Sequence, residues 1–410
     1  MVLRILKFFR TFFAFILNMM VFLLKSIFTP RNIILIGLPL SEHKRSSFIG
    51  NARYFFTYIM KNLESLPSIE KVFLVIKDEK LYKTLKNKGL PVIQSFSIEG
   101  MFYHLIAKFH VITRNRTDLN SIFSTGSVRV NLWHGIPLKR IGYFYLKKPK
   151  FLNIRKFFFP GCWTDHYVLS PNLNFADIFA KSMGVSKENI IIANYPRIQA
   201  LLDHKLLYHF LLDQEKSLLR KVINLKKQGF KIIGYFPTYR KNESLCKFLG
   251  ISTHQDSLEL LEFLKKQKII ILFHPHLHSA PNIPPILLKN QVVIKLESSI
   301  DSYIFLPLLD ILITDYSSIY FDFLVLDKPI IFFPYDLETY KKEQGFMFDY
   351  DKMTPGDKVF SVKELIEAIE SNLNNPTKFQ EERTNLKIQL FPNAKEDGCK
   401  EILEQLLNIN

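Results

Sequence analysis

The chain has 410 residues, of which 48% are hydrophobic and 23% charged, and its formal net charge is +17. This composition excludes wholesale disorder, and no apolar run has the length that marks a polytopic membrane protein. The length suits two domains, and the charge calls for a polyanionic partner, which could be nucleic acid, anionic lipid or a phosphate-rich substrate.

The first 28 residues are apolar and aromatic, and their only charges are basic. The uncharged run from Thr11 to Leu24 would rise about 21 Å as a helix, which is short of the ~30 Å hydrocarbon core of a bilayer. We therefore expect this segment to lie in the membrane interface. A short or tilted span and a cleaved signal peptide remain alternatives, although no A-x-A cleavage pattern precedes Pro30.

The chain then alternates between short apolar runs and helical periodicity. Arg31–Gly37, Tyr54–Leu63 and Lys71–Ile76 read as strand, helix and strand, which is the signature of a parallel sheet. Further strands are predicted at Phe109–Thr113, Val128–Leu132, Tyr167–Leu169, Ile190–Ala193, Lys231–Phe236, Lys268–Phe273, Gln291–Lys295, Asp310–Thr314 and Pro329–Phe333.

The helical, charged stretch from Ile198 to Gly229 separates two such series, so the domain boundary is expected near residues 198–228. We predict an α/β protein of two doubly wound Rossmann-type domains facing a cleft. Its parts are a membrane-associating segment (1–30), an N-terminal α/β domain (31–210) and a C-terminal α/β domain (211–410).

The three cysteines, Cys162, Cys246 and Cys399, are far apart and show no CxxC spacing. They suggest neither a disulfide framework nor a zinc site, and a reducing cytoplasm fits them best.

One strand of the second series leads into Thr314-Asp-Tyr-Ser-Ser318, where a helix is predicted to begin at Ser317 or Ser318. Ligands of parallel sheets bind outside the carboxyl ends of the strands, and a helix start offers free N–H groups. The turn therefore suits a pyrophosphate. The plain alternative is that one serine merely caps the helix.

The predicted strand Lys268–Phe273 ends in His274-Pro-His-Leu-His278. A metal site is the weaker interpretation, because Ser279 and Ala280 stand where an HxHxDH pattern would continue. We expect His274 to point into the same cleft as the serines, where it could donate to a phosphoryl oxygen or protonate a leaving group.

In the first series, His134 follows a strand and precedes the turn Gly135-Ile-Pro137, a loop position where catalytic groups are often presented. The alternative is a hydrogen-bonded structural histidine beside Trp133. From Lys139 to Lys156 the chain has seven basic residues, no acidic ones, and several aromatic ones. This mixture suits a lipid headgroup surface or single-stranded nucleic acid, and the apolar N-terminus favours the membrane.

These motifs, in this order, resemble the CDP-glycerol glycerophosphotransferase family, whose members prime or polymerise wall teichoic acids and related capsule polymers. The resemblance runs from about Leu132 to Val359. It is carried by Leu132-Trp-His-Gly-Ile-Pro-Leu-Lys139, Tyr195-Pro-Arg197, Tyr235-Phe-Pro-Thr-Tyr-Arg240, Phe273-His-Pro275, Ile313–Asp322, Asp327-Lys-Pro329 and Tyr335–Tyr340.

The resemblance implies a GT-B-like fold, with the CDP donor bound by the C-terminal domain (211–410) and the acceptor side facing the N-terminal domain (31–210). It also implies attack of an acceptor hydroxyl on the β-phosphorus of CDP-glycerol or CDP-ribitol, with release of CMP. His134 is expected to be the general base, and His274 to stabilise or protonate the departing phosphate. The expected substrate-binding residues are Gly135, Lys139, Arg140, Arg197, Thr238, Arg240, Pro275, Thr314, Asp315, Ser317 and Ser318. Asp315 and Asp322 lie near the helix start, and both are interpreted as structural, because an aspartate there is an electrostatic match to the helix dipole.

The chain departs from the family pattern where Gln344-Gly345-Phe346 replaces the usual Arg-Gly pair before an aromatic residue, and where the usual WHGTP has Ile136. This could mark a different alditol. No cofactor is required by these residues, and a divalent metal bound through the pyrophosphate stays open.

The expected partners are a CDP-alditol donor, a lipid-linked or polymer acceptor and an anionic membrane surface, and no nucleic acid. The expected location is the cytoplasmic face of the cell membrane. Two other functions compete. One is a GT-B glycosyltransferase that uses a sugar nucleotide. The other is a nucleic-acid-binding protein, although this sequence shows no RRM, KH or zinc-finger pattern.

Overall fold

The computed structural model describes residues 16–40, 46–142, 166–238, 247–275 and 282–409. They form two compact units. The described residues of the first unit fall within 1–134, 142–197 and 396–410, and those of the second fall within 135–141 and 198–395.

The first unit is built on a parallel sheet in the order β3-β2-β1-β4-β5-β6-β7. Its strands are β1 Arg31–Gly37, β2 Lys71–Ile76, β3 Val92–Gln94, β4 Ala107–Ile112, β5 Val128–Asn131, β6 Tyr167–Ser170 and β7 Ile190–Ile192. Its helices are Gly50–Asn62, Glu79–Asn87, Ile98–Ile106, Leu173–Met183 and Gly398–Leu407. β1 ends in five consecutive buried residues, as expected for a strand covered on both faces by helices.

The second unit repeats this arrangement, with a parallel sheet in the order β10-β9-β8-β11-β12-β13. Its strands are β8 Lys231–Tyr235, β9 Ile269–Phe273, β10 Val293–Lys295, β11 Ile311–Thr314, β12 Ile330–Phe332 and β13 Asp357–Lys358. Its helices are His204–Leu207, Asp213–Lys227, His254–Lys266, Pro285–Lys289, Ile319–Phe323, Leu337–Glu343, Val362–Asn374 and Gln380–Leu390, and Pro196–Leu202 lies at the unit boundary. Short 3₁₀ turns occur at Leu63–Ser65, Arg116–Asp118, Lys187–Asn189, Phe248–Gly250, Ser302–Ile304, Leu306–Leu308 and Leu324–Leu326.

In both sheets the first six strands follow the doubly wound order 3-2-1-4-5-6. The predicted fold class of two parallel α/β sheets is thereby confirmed. Each predicted strand is present within two residues of its expected bounds, whereas β3 and β13, of three and two residues, were not predicted. Local capping fixes several helix starts. For example, Thr253 and Asp256 form a reciprocal capping box at the start of His254–Lys266.

Residues 16–25 are helical, and one stripe of this helix packs into the first unit. Val21 is 3% exposed and belongs to the same apolar cluster as Leu105 and Ile106. The Asn18 Oδ1 accepts a hydrogen bond of 2.9 Å from the Thr125 hydroxyl. The described N-terminal helix is therefore part of the first unit's core, whereas the sequence suggested a separate segment at 1–30.

Lys25 lies on the same stripe, four residues after Val21, and it is buried. Its ammonium donates to the carbonyl of His104 at 3.2 Å and to the hydroxyl of Ser127. Burial, assisted by the nearby positive charge of Arg129, lowers the pKa of Lys25 to about 7.

The opposite face of this helix is apolar and exposed: Met20 and Leu23 are each 61% exposed, and Ile27, just beyond it, is 76% exposed. Within the described residues, no helix combines the length and apolarity needed to cross a bilayer.

The C-terminal helix Gly398–Leu407 packs on the first unit, although the sequence placed residues 211–410 together. The Gln405 side chain donates to the carbonyl of Ile192 at 3.1 Å. The Tyr58 hydroxyl donates to Asp397, at the start of that helix, at 2.8 Å. The chain thus returns to its first sheet at the end.

Candidate functional site

His134 lies just beyond β5, on a loop held by two asparagine side chains. The Trp133 N–H donates to Asn131 Oδ1 at 2.8 Å, and Asn51 Nδ2 donates to the carbonyls of Leu132 and Trp133 at 3.1 and 2.9 Å. Trp133 has a φ of 54°, which is rare for a bulky residue and marks a strained turn. The loop is therefore held in one particular conformation.

The imidazole of His134 is exposed and lies against the Trp133 ring, with 4.0 Å between the ring centroids. The contact with Trp133 is common to both interpretations of His134, and the exposure of the ring favours access to a substrate. An exposed imidazole over an aromatic ring, on a fixed loop, can accept a proton from a substrate hydroxyl.

Asn51 also joins this loop to the second predicted motif of the first unit. Its Oδ1 accepts a hydrogen bond of 3.2 Å from the N–H of Arg197, whose guanidinium lies 5.6 Å from the centre of the Tyr195 ring. Asn51 is 2% exposed and stands near the start of the helix Gly50–Asn62. Sequence analysis missed it, because nothing local distinguishes this asparagine from a surface helix residue.

In the second unit, β9, β8 and β11 are adjacent parallel strands, so their carboxyl ends lie at one edge of the sheet. His274 and Pro275 follow β9, Thr238 lies three residues after β8, and the serine turn follows β11. The point between β8 and β11 is where the strand order reverses, which is the usual ligand position in doubly wound sheets. Of the donor-binding residues predicted in this unit, those that the structure describes therefore lie at one edge of the sheet. Arg240 lies outside the described residues, as do His276 and His278.

The imidazole of His274 is partly buried beside Phe236, with 5.5 Å between the ring centroids. Its backbone N–H donates to the Tyr235 carbonyl at 3.1 Å, which pins the end of β9 to β8. Burial lowers the pKa of His274 to about 4, so the ring is neutral at physiological pH. In this state it can donate one N–H to a phosphoryl oxygen but holds no proton to give away as an acid.

Thr314 and Asp315 shape the turn from inside. The Thr314 hydroxyl donates to the Phe236 carbonyl at 2.7 Å, and the Asp315 carboxylate accepts from the Thr238 N–H at 2.8 Å. Both residues are buried. They connect the ends of β8 and β11. Asp322, farther along, accepts a hydrogen bond from the buried Tyr303 hydroxyl.

Ser317 and Ser318 are partly exposed at the start of the helix Ile319–Phe323. Ser318 occupies the N-cap position, yet its side chain makes no capping hydrogen bond. The capping alternative therefore does not account for these hydroxyls. The helix has only five residues, so its dipole is weaker than that of a longer helix. The two serine hydroxyls are therefore the main polar groups that the turn offers.

The remaining predicted residues, Gly135, Lys139 and Arg140, belong to the second unit, although they directly follow His134. Gly135 has a φ of 110°, which a residue with a side chain would rarely adopt. Lys139 forms an antiparallel bridge with Phe346. The structure therefore separates these two cations from the acceptor-side domain in which the sequence had placed them.

Comparison with known proteins agrees with these motifs. The family described as CDP-Glycerol:Poly(glycerophosphate) glycerophosphotransferase matches residues 33–404. The teichoic acid poly(glycerol phosphate) polymerase of Bacillus spizizenii strain W23 is 28% identical over 396 residues, covering 92% of this chain and 93% of that protein. The teichoic acid ribitol-phosphate primase of the same strain is 26% identical over 62% of this chain and 63% of that protein.

Among solved structures, that of the wall teichoic acid polymerase TagF covers 99% of this chain and 95% of that chain, with a TM-score of 0.70 and 21% identity. This likeness shows a shared GT-B-like fold, which confirms the expected fold class. The family match extends over most of the 410 residues. The chain belongs to the CDP-glycerol:poly(glycerophosphate) glycerophosphotransferase family.

Proposed function

We propose that this enzyme transfers glycerol phosphate or ribitol phosphate from a CDP-alditol donor to an acceptor hydroxyl, forming a phosphodiester and releasing CMP. The observation that carries the proposal is the family match over residues 33–404. Relatives in the family include both glycerol-phosphate and ribitol-phosphate enzymes, so either alditol fits.

The acceptor oxygen must lose its proton as it attacks the β-phosphorus. We assign this proton to His134, because its imidazole is exposed on a loop fixed by Asn51 and Asn131. The new O–P bond forms while the P–O bond to CMP breaks, and the electron pair leaves with the CMP phosphate.

On the donor side, the second unit offers hydrogen-bond donors at one sheet edge. The neutral imidazole of His274 and the hydroxyls of Ser317 and Ser318 would bind phosphoryl oxygens, and Thr314 and Asp315 would hold the turn in shape. Because the pKa of His274 is about 4, we assign it hydrogen-bond stabilisation of the departing phosphate instead of proton donation.

We place the enzyme at the cytoplasmic face of the cell membrane as a peripheral or monotopic protein. The exposed apolar face that includes Met20, Leu23 and Ile27 supports this location. The predicted basic and aromatic stretch adds to it, although most of that stretch, from residue 143 on, lies outside the described residues. The acceptor would then be lipid-linked, or a polymer held at the membrane, in teichoic acid or capsule biosynthesis.

The test is CMP release by the purified enzyme with CDP-glycerol, CDP-ribitol and UDP-sugars, supplied side by side with a lipid-linked acceptor. We expect release of CMP from one CDP-alditol, and mass spectrometry should find the acceptor extended by one or more alditol phosphate units. Turnover of a UDP-sugar in place of both CDP-alditols would contradict the proposal and favour the glycosyltransferase alternative.

A further inference from the structure

The segment Gly135–Ile141 belongs to the second unit, where Lys139 forms an isolated antiparallel bridge with Phe346. The Met347 N–H donates to the Leu138 carbonyl at 2.8 Å, and the Arg140 N–H donates to the Gly345 carbonyl at 3.3 Å. Leu138 is buried, whereas Lys139 and Arg140 are exposed. The backbone of this segment is therefore fixed while its two cations are left at the surface.

The Arg140 side chain lies along the backbone of Gly345. Gly345 has a φ of 66°, and a Cβ atom there would stand only 3.1 Å from Arg140 Nε and 3.3 Å from its Cζ. The guanidinium therefore occupies space that any other residue at position 345 would invade. No carboxylate of the described residues forms an ion pair with Arg140.

The turn at Gly345, against which the Arg140 side chain lies, rests on an aromatic cluster. The Phe346 ring stacks on Tyr340 and Tyr350, with centroid distances of 5.9 and 5.3 Å, and lies 5.8 Å from Tyr316. Tyr316 stacks on Tyr340 at 4.0 Å and directly precedes Ser317 in the chain. One packed cluster thus supports both the Gly345 turn, on which Arg140 lies, and the serine turn.

We propose that Arg140 binds the phosphates of the nucleotide donor in the second unit, and that it belongs neither to the acceptor site nor to the membrane surface. This assignment rests on the proposed function and adds a donor-binding role to it. A CDP-alditol carries two phosphate charges, and the CMP phosphate gains charge when its P–O bond breaks. A guanidinium held against the turn presents a planar pair of N–H donors to these oxygens at little entropic cost. Lys139, the preceding residue, adds a second positive charge.

Arg140→Gln tests the proposal. Loss of one charge-assisted contact should weaken the binding of CDP-glycerol or CDP-ribitol, measured by calorimetry, by about tenfold or more. Arg140→Lys should restore part of the affinity, because it keeps the charge but not the planar donor pair. Lys342→Gln is the matched control, since it removes one exposed cation three residues from Gly345 and should leave donor affinity unchanged.

Gly345→Ala provides an independent probe, since the added methyl would force the Arg140 side chain to shift by a few tenths of an ångström. Its effect on donor affinity should be greater in the wild-type background than in the Arg140→Gln background, with melting temperatures checking that each variant folds. Binding to anionic vesicles should be the same for Arg140→Gln and Lys342→Gln.

Two results would overturn the assignment while leaving the proposed function intact: equal donor affinity in wild type and Arg140→Gln, or a selective loss of vesicle binding in Arg140→Gln. If the wild-type protein binds a UDP-sugar and neither CDP-alditol, the proposed function fails instead. The same variants, titrated with that nucleotide, would then still decide whether Arg140 is a donor contact.

Discussion

At the scale of single residues, His134 and His274 lie in environments that assign them different chemistry. His134 is exposed against Trp133, while burial lowers the pKa of His274 to about 4. A group with that pKa stays neutral from about pH 5 upward and contributes no limb to a pH profile near neutrality. If His134 is the general base, the transfer rate should show an acid limb that depends on His134 and not on His274.

We expect His134→Ala to lower the transfer rate by about 10²–10⁴-fold and to remove that limb, while CDP-alditol binding remains near normal. The limb is measured as the fall in kcat/KM on the acid side, where a protonated base is inactive. His134→Gln is the control, because it keeps a hydrogen-bonding group that accepts no proton at these pH values. A Gln variant with nearly full activity would show that His134 orients the substrate, and the base would have to be another residue.

The residues that sequence analysis could identify are those whose motif is continuous in the chain. His134, His274 and the two serines each follow an apolar strand directly, so their place at a sheet edge follows from the chain itself. Asn51 and the partner of Arg140 could not be found in this way. Asn51 acts on a loop about 80 residues away, and Arg140 packs on Gly345, about 200 residues away.

At the scale of elements, the sequence pattern of the N-terminal helix left open which of its residues contact the rest of the protein. Its apolar composition predicted a membrane-binding face, but could not indicate that Val21 and Lys25 would pack into the first unit. From sequence, a lysine within an apolar helix is expected to lie at the surface. Hydrogen bonds from the Lys25 ammonium to the carbonyls of His104 and Ala107 explain how it is accommodated in the interior. The short strands β3 and β13 escaped prediction because two or three residues carry no periodicity.

Lys25 should make the stability of the protein depend on pH above neutrality. Its pKa is about 7 in the folded protein and about 10.5 when unfolded, so between these values the unfolded chain binds more protons. Folding stability should therefore rise with pH over this range, by at most about 1.4 kcal/mol per pH unit. The facing groups are the carbonyls of His104 and Ala107, the hydroxyl of Ser127, and the side chains of His110 and Arg129.

The measurement is urea unfolding of wild type and Lys25→Met at several pH values from 7 to 10. Met keeps the length of the side chain without its charge, and all other titrating groups cancel in the difference. The stability of wild type relative to the variant should increase steadily with pH. Parallel curves for the two proteins would mean that Lys25 does not titrate in this range, and that its amine is solvated in the folded state.

At the scale of the whole molecule, the sequence indicated two series of strands, and the structure has two parallel sheets with the same doubly wound order. The alternation of strand and helix suffices for this prediction, because parallel sheets require helical crossovers. It could not show that residues 396–410 return to the first unit or that residues 135–141 join the second. Both assignments of a segment to a unit depend on long-range packing, which apolar periodicity does not encode.

The net charge of +17 and the apolar face of residues 16–27 should contribute separately to membrane binding, and salt can separate them. Electrostatic attraction to anionic vesicles should be strong at low salt and largely screened near 1 M, where the Debye length is about 3 Å. Insertion of apolar side chains is not screened, so a fraction of the wild-type protein should still sediment with vesicles at high salt.

Leu23→Glu should abolish this salt-resistant fraction, because it places a carboxylate in the apolar face that inserts. Leu23 is 61% exposed, so the change does not disturb the core. Ile388→Glu is the matched control, since it makes the same kind of change at a residue 58% exposed in the second unit, and it should sediment like wild type. At low salt all three proteins should bind. Complete release of the wild type by salt would mean that adsorption is purely electrostatic, and the basic residues from Lys147 to Lys156 would then be the main candidates for the membrane contact. Equal losses in both variants would instead show that added negative charge anywhere weakens binding, and that the N-terminal helix does not insert.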